Sequence, residues 1–147
     1  MKIEVLSESL YSPERTFDVM KLRGKKVITS KGLVMGKVKK VIVGRKSFNI
    51  EGIIMGRKFS FKKIYIGESY FQSMSEKALI LSIEPSFLLI GKKVLNNEGK
   101  VIGKVKEVMR KGDSNDFESL IVKSFWKKSF TVKSGEIKFL GKSIVLK

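Results

Sequence analysis

The chain has 147 residues, of which 42% are hydrophobic, and it carries a formal net charge of +17 from 31 basic and 14 acidic side chains. Cysteine and histidine are both absent, which excludes disulfides, zinc–thiolate sites and the commonest general base. We therefore expect a protein that is not an enzyme, with no catalytic residues, metal site, cofactor or small-molecule substrate. A signal peptide and a bilayer-spanning apolar stretch are not visible, so we expect a cytoplasmic location without membrane insertion.

Residues 1–21 form a nearly neutral N-terminal arm with 3 basic and 4 acidic side chains. Ile3, Val5 and Leu10 alternate in the manner of a short strand, and residues 12–15 predict a turn or the first turn of a helix. Two interpretations of the arm stay open. It docks onto the fold as an ordinary terminus, or it adds a strand to the sheet of a partner.

A stretch of 22 residues then occurs twice in the chain. Residues 22–43 and 89–110 align without a gap at an offset of 67, and 12 of the 22 positions are identical. A fixed period indicates one structural unit used twice, and this period is the size of a small domain. We predict one domain at residues 22–84 and a second at 87–147, separated at Pro85.

Each copy of the stretch predicts a β-hairpin. In the first copy, a short strand at residues 25–29 is followed by a turn at Gly32 and a longer strand at residues 33–43. In the second copy the turn ends at Gly99. Gly36 and Gly103 interrupt the longer strands, at positions where glycine marks a bend or a close approach of two backbones.

The hydrophobic pattern of the longer strand predicts a β-bulge. Val38 and Val41 cannot both face the core if side chains alternate with a period of two. One extra residue near Lys39 and Lys40 restores the phase, and Val105 and Val108 repeat the slip. A bulge at the same place in both copies predicts a strongly curved sheet that closes into a barrel, whereas the alternative places Val41 at a barrel rim.

The remaining segments are predicted to be mostly strands as well. In the first copy we predict strands at residues 48–55, 58–66 and 78–83, with a loop at 67–75. In the second copy we predict strands at 118–123, 137–140 and 143–146, and a strand or turn region at 125–130. Because no ten-residue segment has a helical period, the predicted fold class is all-β, with two tandem small β-barrels behind a short arm.

The hairpins resemble the opening hairpin of the PRC-barrel family, which has Gly-Lys, a strand, a glycine turn and then Gly-x-Val-x-x-Val. The matching glycines are Gly24, Gly32 and Gly36 in the first copy and Gly91, Gly99 and Gly103 in the second. The resemblance covers residues 20–84 and 87–147 and implies six-stranded barrels without catalytic residues. It also implies an adaptor, as in the barrel domain of the bacterial ribosome maturation factor RimM, the reaction-centre H subunit and archaeal cell-division adaptors.

Charge is the main functional signal. The arm carries −1, residues 22–84 carry +10 (14 basic, 4 acidic) and residues 85–147 carry +8 (14 basic, 6 acidic). The charge therefore belongs to the folded domains, where it causes self-repulsion unless a polyanion screens it. Lysine and arginine on nucleic-acid phosphates release counterions, which favours RNA binding. The alternative is a soluble basic protein of a thermophile.

With the resemblance, this charge predicts a ribosome-associated or ribosomal protein of archaeal type, with the small subunit favoured. Its expected partners are ribosomal RNA and neighbouring ribosomal proteins. A protein–protein adaptor, for example in archaeal cell division, and a protein bound to an anionic membrane surface are the alternatives. The predicted RNA contacts are the clustered basic side chains and one aromatic: Lys25, Lys26, Lys37, Lys39, Lys40, Arg45, Lys46, Arg57, Lys58, Lys92, Lys93, Lys104, Lys106, Arg110, Trp126, Lys127 and Lys128.

Several aromatic residues lie near these clusters, namely Phe48, Phe59, Phe61, Trp126 and Phe130. They belong to the barrel core, or Trp126 stacks on an unpaired base. The two copies also differ in charge, since the second replaces Arg45-Lys46 with a polar, partly acidic turn and Lys40 with Glu107. We therefore expect the first barrel to contribute more to RNA binding.

Overall fold

A computed structural model describes residues 3–57 and 61–147. These residues form twelve β-strands and four 3-10 helices, without an α-helix, which confirms the all-β prediction. The chain divides into two compact units, Met1–Ile83 and Glu84–Lys147. Within the described ranges, no helix has the length and hydrophobicity needed to cross a membrane.

The first unit contains one six-stranded sheet. Its strands are β1 (Lys26–Ile28), β2 (Val34–Val43), β3 (Ile50–Gly56), β4 (Lys63–Gly67), β5 (Phe71–Met74) and β6 (Ala78–Leu81). Their order in the sheet is β4-β3-β2-β1-β6-β5. Neighbouring strands are antiparallel except β1 and β6, which run parallel.

The second unit repeats this arrangement. Its strands are β7 (Lys93–Leu95), β8 (Val101–Arg110), β9 (Phe117–Ser124), β10 (Phe130–Lys133), β11 (Ile137–Leu140) and β12 (Ile144–Leu146), in the order β10-β9-β8-β7-β12-β11. The 3-10 helices repeat as well, at Val19–Leu22, Glu68–Tyr70, Ser86–Leu89 and Ser134–Glu136. The repeat seen in 22 residues of sequence therefore extends over the whole unit.

Each sheet encloses its own core. In the second unit, the buried side chains come from β7, β8, β9, β10 and β12, and Ile137 of β11 packs against them. A flat sheet cannot place side chains from all six strands in one cluster, so this sheet curls into a small barrel. The first unit has the same buried positions on its strands, including Val27, Val38, Ile53 and Leu79.

The predicted bulges are confirmed in both units. The register of β2 against β3 shifts between Val38 and Lys40, and that of β8 against β9 shifts between Val105 and Glu107. Each bulge accommodates one additional residue, on β2 in the first unit and on β8 in the second, and this residue bends the strand. The shift returns the hydrophobic side chains that follow it to the inner face, where they are half-buried.

Gly36 and Gly103 mark the close backbone approach predicted for them. A Cβ atom on Gly36 would collide with the carbonyl oxygen of Gly56, and one on Gly103 would collide with that of Lys123. At the hairpin turns, Gly32 and Gly99 have φ angles of 90° and 83°, which side chains rarely adopt.

Two predictions of local structure are wrong. The predicted loop at residues 67–75 contains a 3-10 helix and strand β5, in which Phe71 and Met74 are half-buried. Gln72 and Ser73 lie between them and are exposed, because β5 is a terminal strand. This polar pair gives the segment the sequence pattern of a loop. The predicted strand in the arm is absent from residues 3–10, whose side chains are exposed, although a turn closes where Arg15 N donates to Ser12 O.

Strand boundaries also differ from the prediction. The third strand begins at Ile50, two residues late, because Phe48 has a φ of 59° and cannot continue a strand. The fourth strand begins at Lys63. The earlier part of the predicted strand, at residues 58–60, lies outside the described residues.

Candidate nucleic-acid interface

The sheet register brings three lysines of the first unit into one line across its strands. Lys26 of β1 lies directly opposite Lys37 of β2, which lies opposite Gly56 of β3, which in turn lies opposite Lys63 of β4. All three lysines are exposed. We call Lys26, Lys37 and Lys63 the first lysine row.

The second unit has a corresponding line. Lys93 of β7 lies opposite Lys104 of β8, which lies opposite Lys123 of β9. These exposed side chains form the second lysine row. Lys63 and Lys123 were not among the predicted contacts, because both are far along the chain from the hairpin lysines. Pairing the residues of each hairpin, counted from its turn, would have placed Lys63 and Lys123 in line with the hairpin lysines.

Both rows are unfavourable for the isolated protein. Adjacent strands are about 5 Å apart, and like charges directly opposite one another destabilise a sheet. Folding stability therefore does not explain why each barrel places lysines in line. A polyanion lying across the strands would remove this repulsion.

The bulges determine the charge next to each row. Lys39 and Lys40 are both exposed at the first bulge, whereas two consecutive residues of a regular strand would face opposite sides. At the second bulge the two exposed residues are Lys106 and Glu107. The bulge of the first barrel is thus doubly positive, and that of the second barrel is neutral overall.

A surface cleft of about 530 Å³ lies beside the first row. Lys26, Lys37, Lys39 and Arg57 line it, and its described lining contains no carboxylate. Gly56 forms part of the wall, where a Cβ atom would lie 2.8 Å from Cε of Lys39. The glycine therefore makes room for the stem of Lys39, and its equivalent in the second unit is a lysine of the second row, Lys123.

The turns after β2 and β8 present different chemistry. Arg45 and Lys46 are exposed in the first turn. In the second turn, the Asn115 side chain accepts a hydrogen bond from Ser86 N at 2.7 Å and donates one to Glu84 O at 3.1 Å. The partly acidic turn is thus fastened to the start of its own unit. Among the residues that the structure describes, acidic side chains do not group as a metal site there or elsewhere.

The other predicted basic contacts occupy varied places. Lys25 and Arg110 are exposed, as are Lys127 and Lys128 in the β9–β10 turn. The Lys92 ammonium is half-buried and donates a hydrogen bond of 2.6 Å to Gly141 O, so it supports the β11–β12 turn. Lys58 lies outside the described residues.

The core interpretation of the aromatic residues is wrong for three of them. Phe48 is 83% exposed, Trp126 is 91% exposed and Phe61 is fully exposed. Phe130 is half-buried and packs against the core of the second unit, as that interpretation requires. Phe59 lies outside the described residues. The sequence could not separate these roles, because exposure here depends on where each hairpin turns.

A family model for the PRC-barrel domain matches residues 14–83 and 87–147. The chain belongs to the PRC-barrel family. The first match begins within the N-terminal arm, and each match covers one complete six-stranded sheet. A search of curated proteins finds no match to this tandem PRC-barrel protein.

Proposed function

We propose that this tandem PRC-barrel protein is a non-enzymatic RNA-binding protein of the ribosome, of archaeal type, with the small subunit favoured. Ribosomal RNA and neighbouring ribosomal proteins are its partners in the cytoplasm. The observation that carries the proposal is the lysine row, which occurs in both barrels although Lys63 and Lys123 lie outside the repeated stretch.

The rows suit the phosphate backbone of RNA. Each ammonium group that neutralises a phosphate releases a condensed counterion, and this release supplies most non-specific affinity. Such contacts fix the position of the protein on the nucleic acid and carry little sequence information. Specificity for a ribosomal site then comes from RNA shape and from protein neighbours.

The first barrel makes the stronger contact in this proposal. Its cleft gathers four cations around Gly56, and its bulge adds Lys40 to Lys39. The second barrel places Glu107 at the equivalent bulge position, which repels phosphate. Removal of the first row should therefore weaken binding more than removal of the second.

Matched triple substitutions test the proposal. One variant carries Lys26→Gln, Lys37→Gln and Lys63→Gln. Its control removes the same charge from exposed lysines outside both rows, with the substitutions Lys77→Gln, Lys138→Gln and Lys142→Gln. Affinity for ribosomal RNA fragments is measured against salt concentration, and circular dichroism confirms that both variants fold.

We expect the row variant to reduce the slope of log affinity against log salt by roughly 0.7–0.9 per lost phosphate contact, or about 2–3 for the three lysines. The control should change the slope much less. Equal losses in both variants would contradict the proposal, since attraction would then follow net charge alone. Co-sedimentation with ribosomes in a sucrose gradient tests the ribosomal part, and a protein that binds RNA fragments but stays at the top of the gradient would contradict it.

A protein–protein adaptor is the second candidate. Strand β11 is terminal in the order of its sheet and carries Phe139, which is 61% exposed, next to exposed Leu140. An apolar terminal strand can pair with an extended segment of a partner. Such binding would depend weakly on salt and would be lost in Phe139→Lys, whereas RNA binding would survive this substitution.

A further inference from the structure

The β9–β10 turn exposes two aromatic side chains. Trp126 is 91% exposed and Phe125 is 54% exposed. Tryptophan is usually well buried in proteins, and an exposed large aromatic next to another marks a binding surface more often than an isolated exposed leucine does. Trp126 is also the one tryptophan of the chain.

The turn is held by hydrogen bonds and by the core. The Ser124 hydroxyl oxygen accepts hydrogen bonds from Trp126 N at 3.3 Å and from Lys127 N at 3.2 Å. On the far side of the turn, Phe130 pairs with Val122 across the ladder and packs against the core. The indole is therefore presented from a fixed base, which reduces the entropy that a ligand must remove on binding.

Cations lie beside these aromatic rings. Lys127 and Lys128 follow Trp126 directly, and both are exposed. Aromatic faces with adjacent positive charge are the chemistry that binds single-stranded nucleic acid, because the rings stack on bases while the cations contact the backbone. A regular duplex keeps its bases stacked on each other and leaves no base face for an indole.

The first barrel presents the same chemistry with different residues. Its β3–β4 connection contains Arg57, the fully exposed Phe61 and Lys62. The two connections differ in length and in the order of their residues. Met55 lies opposite Ile64 in the first unit, whereas the equivalent residue of the second unit, Val122, lies opposite Phe130, so the second connection is one residue shorter. Exposed aromatic and basic side chains thus occur at this position in both units without a shared sequence.

We propose that the β9–β10 turn is a stacking site for an unpaired nucleobase, with Trp126 as the stacking side chain and Lys127 and Lys128 as backbone contacts. The RNA target therefore presents a loop, a bulge or a single-stranded end. This inference rests on the proposed RNA-binding function. A membrane surface fits the turn less well, because membrane binding scales with buried apolar area and this turn offers two exposed aromatic side chains, Phe125 and Trp126.

The intrinsic fluorescence of the full chain reports this site directly, because Trp126 is the one tryptophan. The protein is titrated with an oligouridylate, with a duplex RNA of the same length, and with vesicles that contain phosphatidylserine. Binding of each labelled RNA is followed independently by polarisation. We expect quenching by the oligouridylate and binding of the duplex without comparable quenching.

Trp126→Ala should lower the affinity for the oligouridylate by roughly 5- to 150-fold, the range of one base–aromatic stack. Its affinity for the duplex, and the salt dependence of that affinity, should change little. Trp126→Phe should retain part of the lost affinity. Phe139→Ala, which removes an exposed aromatic outside the turn, is the matched control and should leave both affinities unchanged.

Duplex binding with no quenching by the oligouridylate would overturn the stacking site and leave the proposed function standing. A blue shift with vesicles, without any response to the oligouridylate, would also overturn it and indicate a membrane surface. Failure of the native protein to bind either RNA would refute the proposed function, and the stacking site with it.

Discussion

The turn after β2 in the first barrel and the turn after β8 in the second connect equivalent strands and share their outermost hydrogen bond, although the positive φ lies at Phe48 in the first turn and at Gly112 in the second. Gly44 N donates to Asn49 O in the first turn, and Lys111 N donates to Asp116 O in the second. Four residues after each of these donors stand Phe48 and Asn115 respectively. The side chain of Phe48 is exposed, whereas that of Asn115 is hydrogen-bonded to the backbone of its own unit.

The difference shows how a repeated unit divides its roles. The second turn uses the side chain of Asn115 to hold its own barrel together, and it carries acidic residues where the first turn carries cations. In the first turn, the backbone of Phe48 is left-handed and the cations Arg45 and Lys46 are exposed. This combination does not favour stability. Local strain at an exposed basic turn is consistent with a binding role there.

The largest expected effect is on the second turn. Asn115→Ala removes both hydrogen bonds and leaves the buried Ser86 N without its acceptor. We expect the free energy of unfolding to fall by about 1–3 kcal/mol. Urea unfolding of the full chain measures it. Phe48→Ala at the equivalent position is the control and should not destabilise the chain, so equal losses would refute the contrast between the turns.

A smaller effect of the opposite sign is expected in the first turn. Phe48 has a φ of 59°, which costs roughly 1–2 kcal/mol for a residue with a side chain, and glycine removes this cost while adding some chain entropy. Phe48→Gly should therefore raise the free energy of unfolding by about 1 kcal/mol. Lys46→Gly, in the same turn, should lower it, and stabilisation by both substitutions would indicate a general effect of glycine in this turn.

Charge at the bulges sharpens the comparison further. Lys40→Glu should reduce the slope of log RNA affinity against log salt by about one, because it removes a phosphate contact. Glu107→Lys should raise the slope by a similar or smaller amount. A double variant with both changes should restore the total slope if the two bulges have equal access to RNA. Persistent weakening in the double variant would show that the first barrel dominates.

Much of the fold could be predicted from the sequence, because the hydrophobic side chains of a strand must all reach the face of the sheet that covers the core. A one-residue slip moves every side chain to the other face, so a bulge brings both Val38 and Val41 to the inner face, and the same slip in the second copy favoured a bulge over a rim position for Val41. Strand β5 could not be predicted in this way. A terminal strand buries few side chains, and the polar residues between Phe71 and Met74 carry the pattern of a loop.

The candidate site was harder to predict, because it depends on register across several strands. Equivalent residues of the two units are 67 positions apart up to Ile53 and Leu120. Strand pairing makes Ile66 equivalent to Val132 and Leu79 equivalent to Ile144, so the constant offset is lost later in the chain. One residue is lost in the β9–β10 connection and another before β12. The basic clusters of the hairpins were visible in the sequence, whereas the alignment of Lys63 and Lys123 with them depends on strand pairing.

The smallest expected effect concerns an ion pair in the first unit. Lys21 Nζ lies 3.0 Å from Glu76 Oε1, and this hydrogen bond raises the pKa of Lys21 above its usual 10.5. Since the folded pKa exceeds the unfolded one, the stability from this pair is fully present below pH 10.5 and is lost as the pH rises through the folded value. The second unit has Leu88 at the position of Lys21 and lacks this dependence.

Glu76→Gln should therefore lower the stability of the chain slightly and by a constant amount between neutral pH and the unfolded pKa of lysine, 10.5. Above that pH, the difference between the variant and the native chain should shrink, because the native chain loses the pair. Urea unfolding at a series of pH values measures the difference. Glu68→Gln, another exposed carboxylate of the first unit, is the control. A difference that stays constant through the titration of lysine would show that Glu76 acts by some route other than the charge of Lys21.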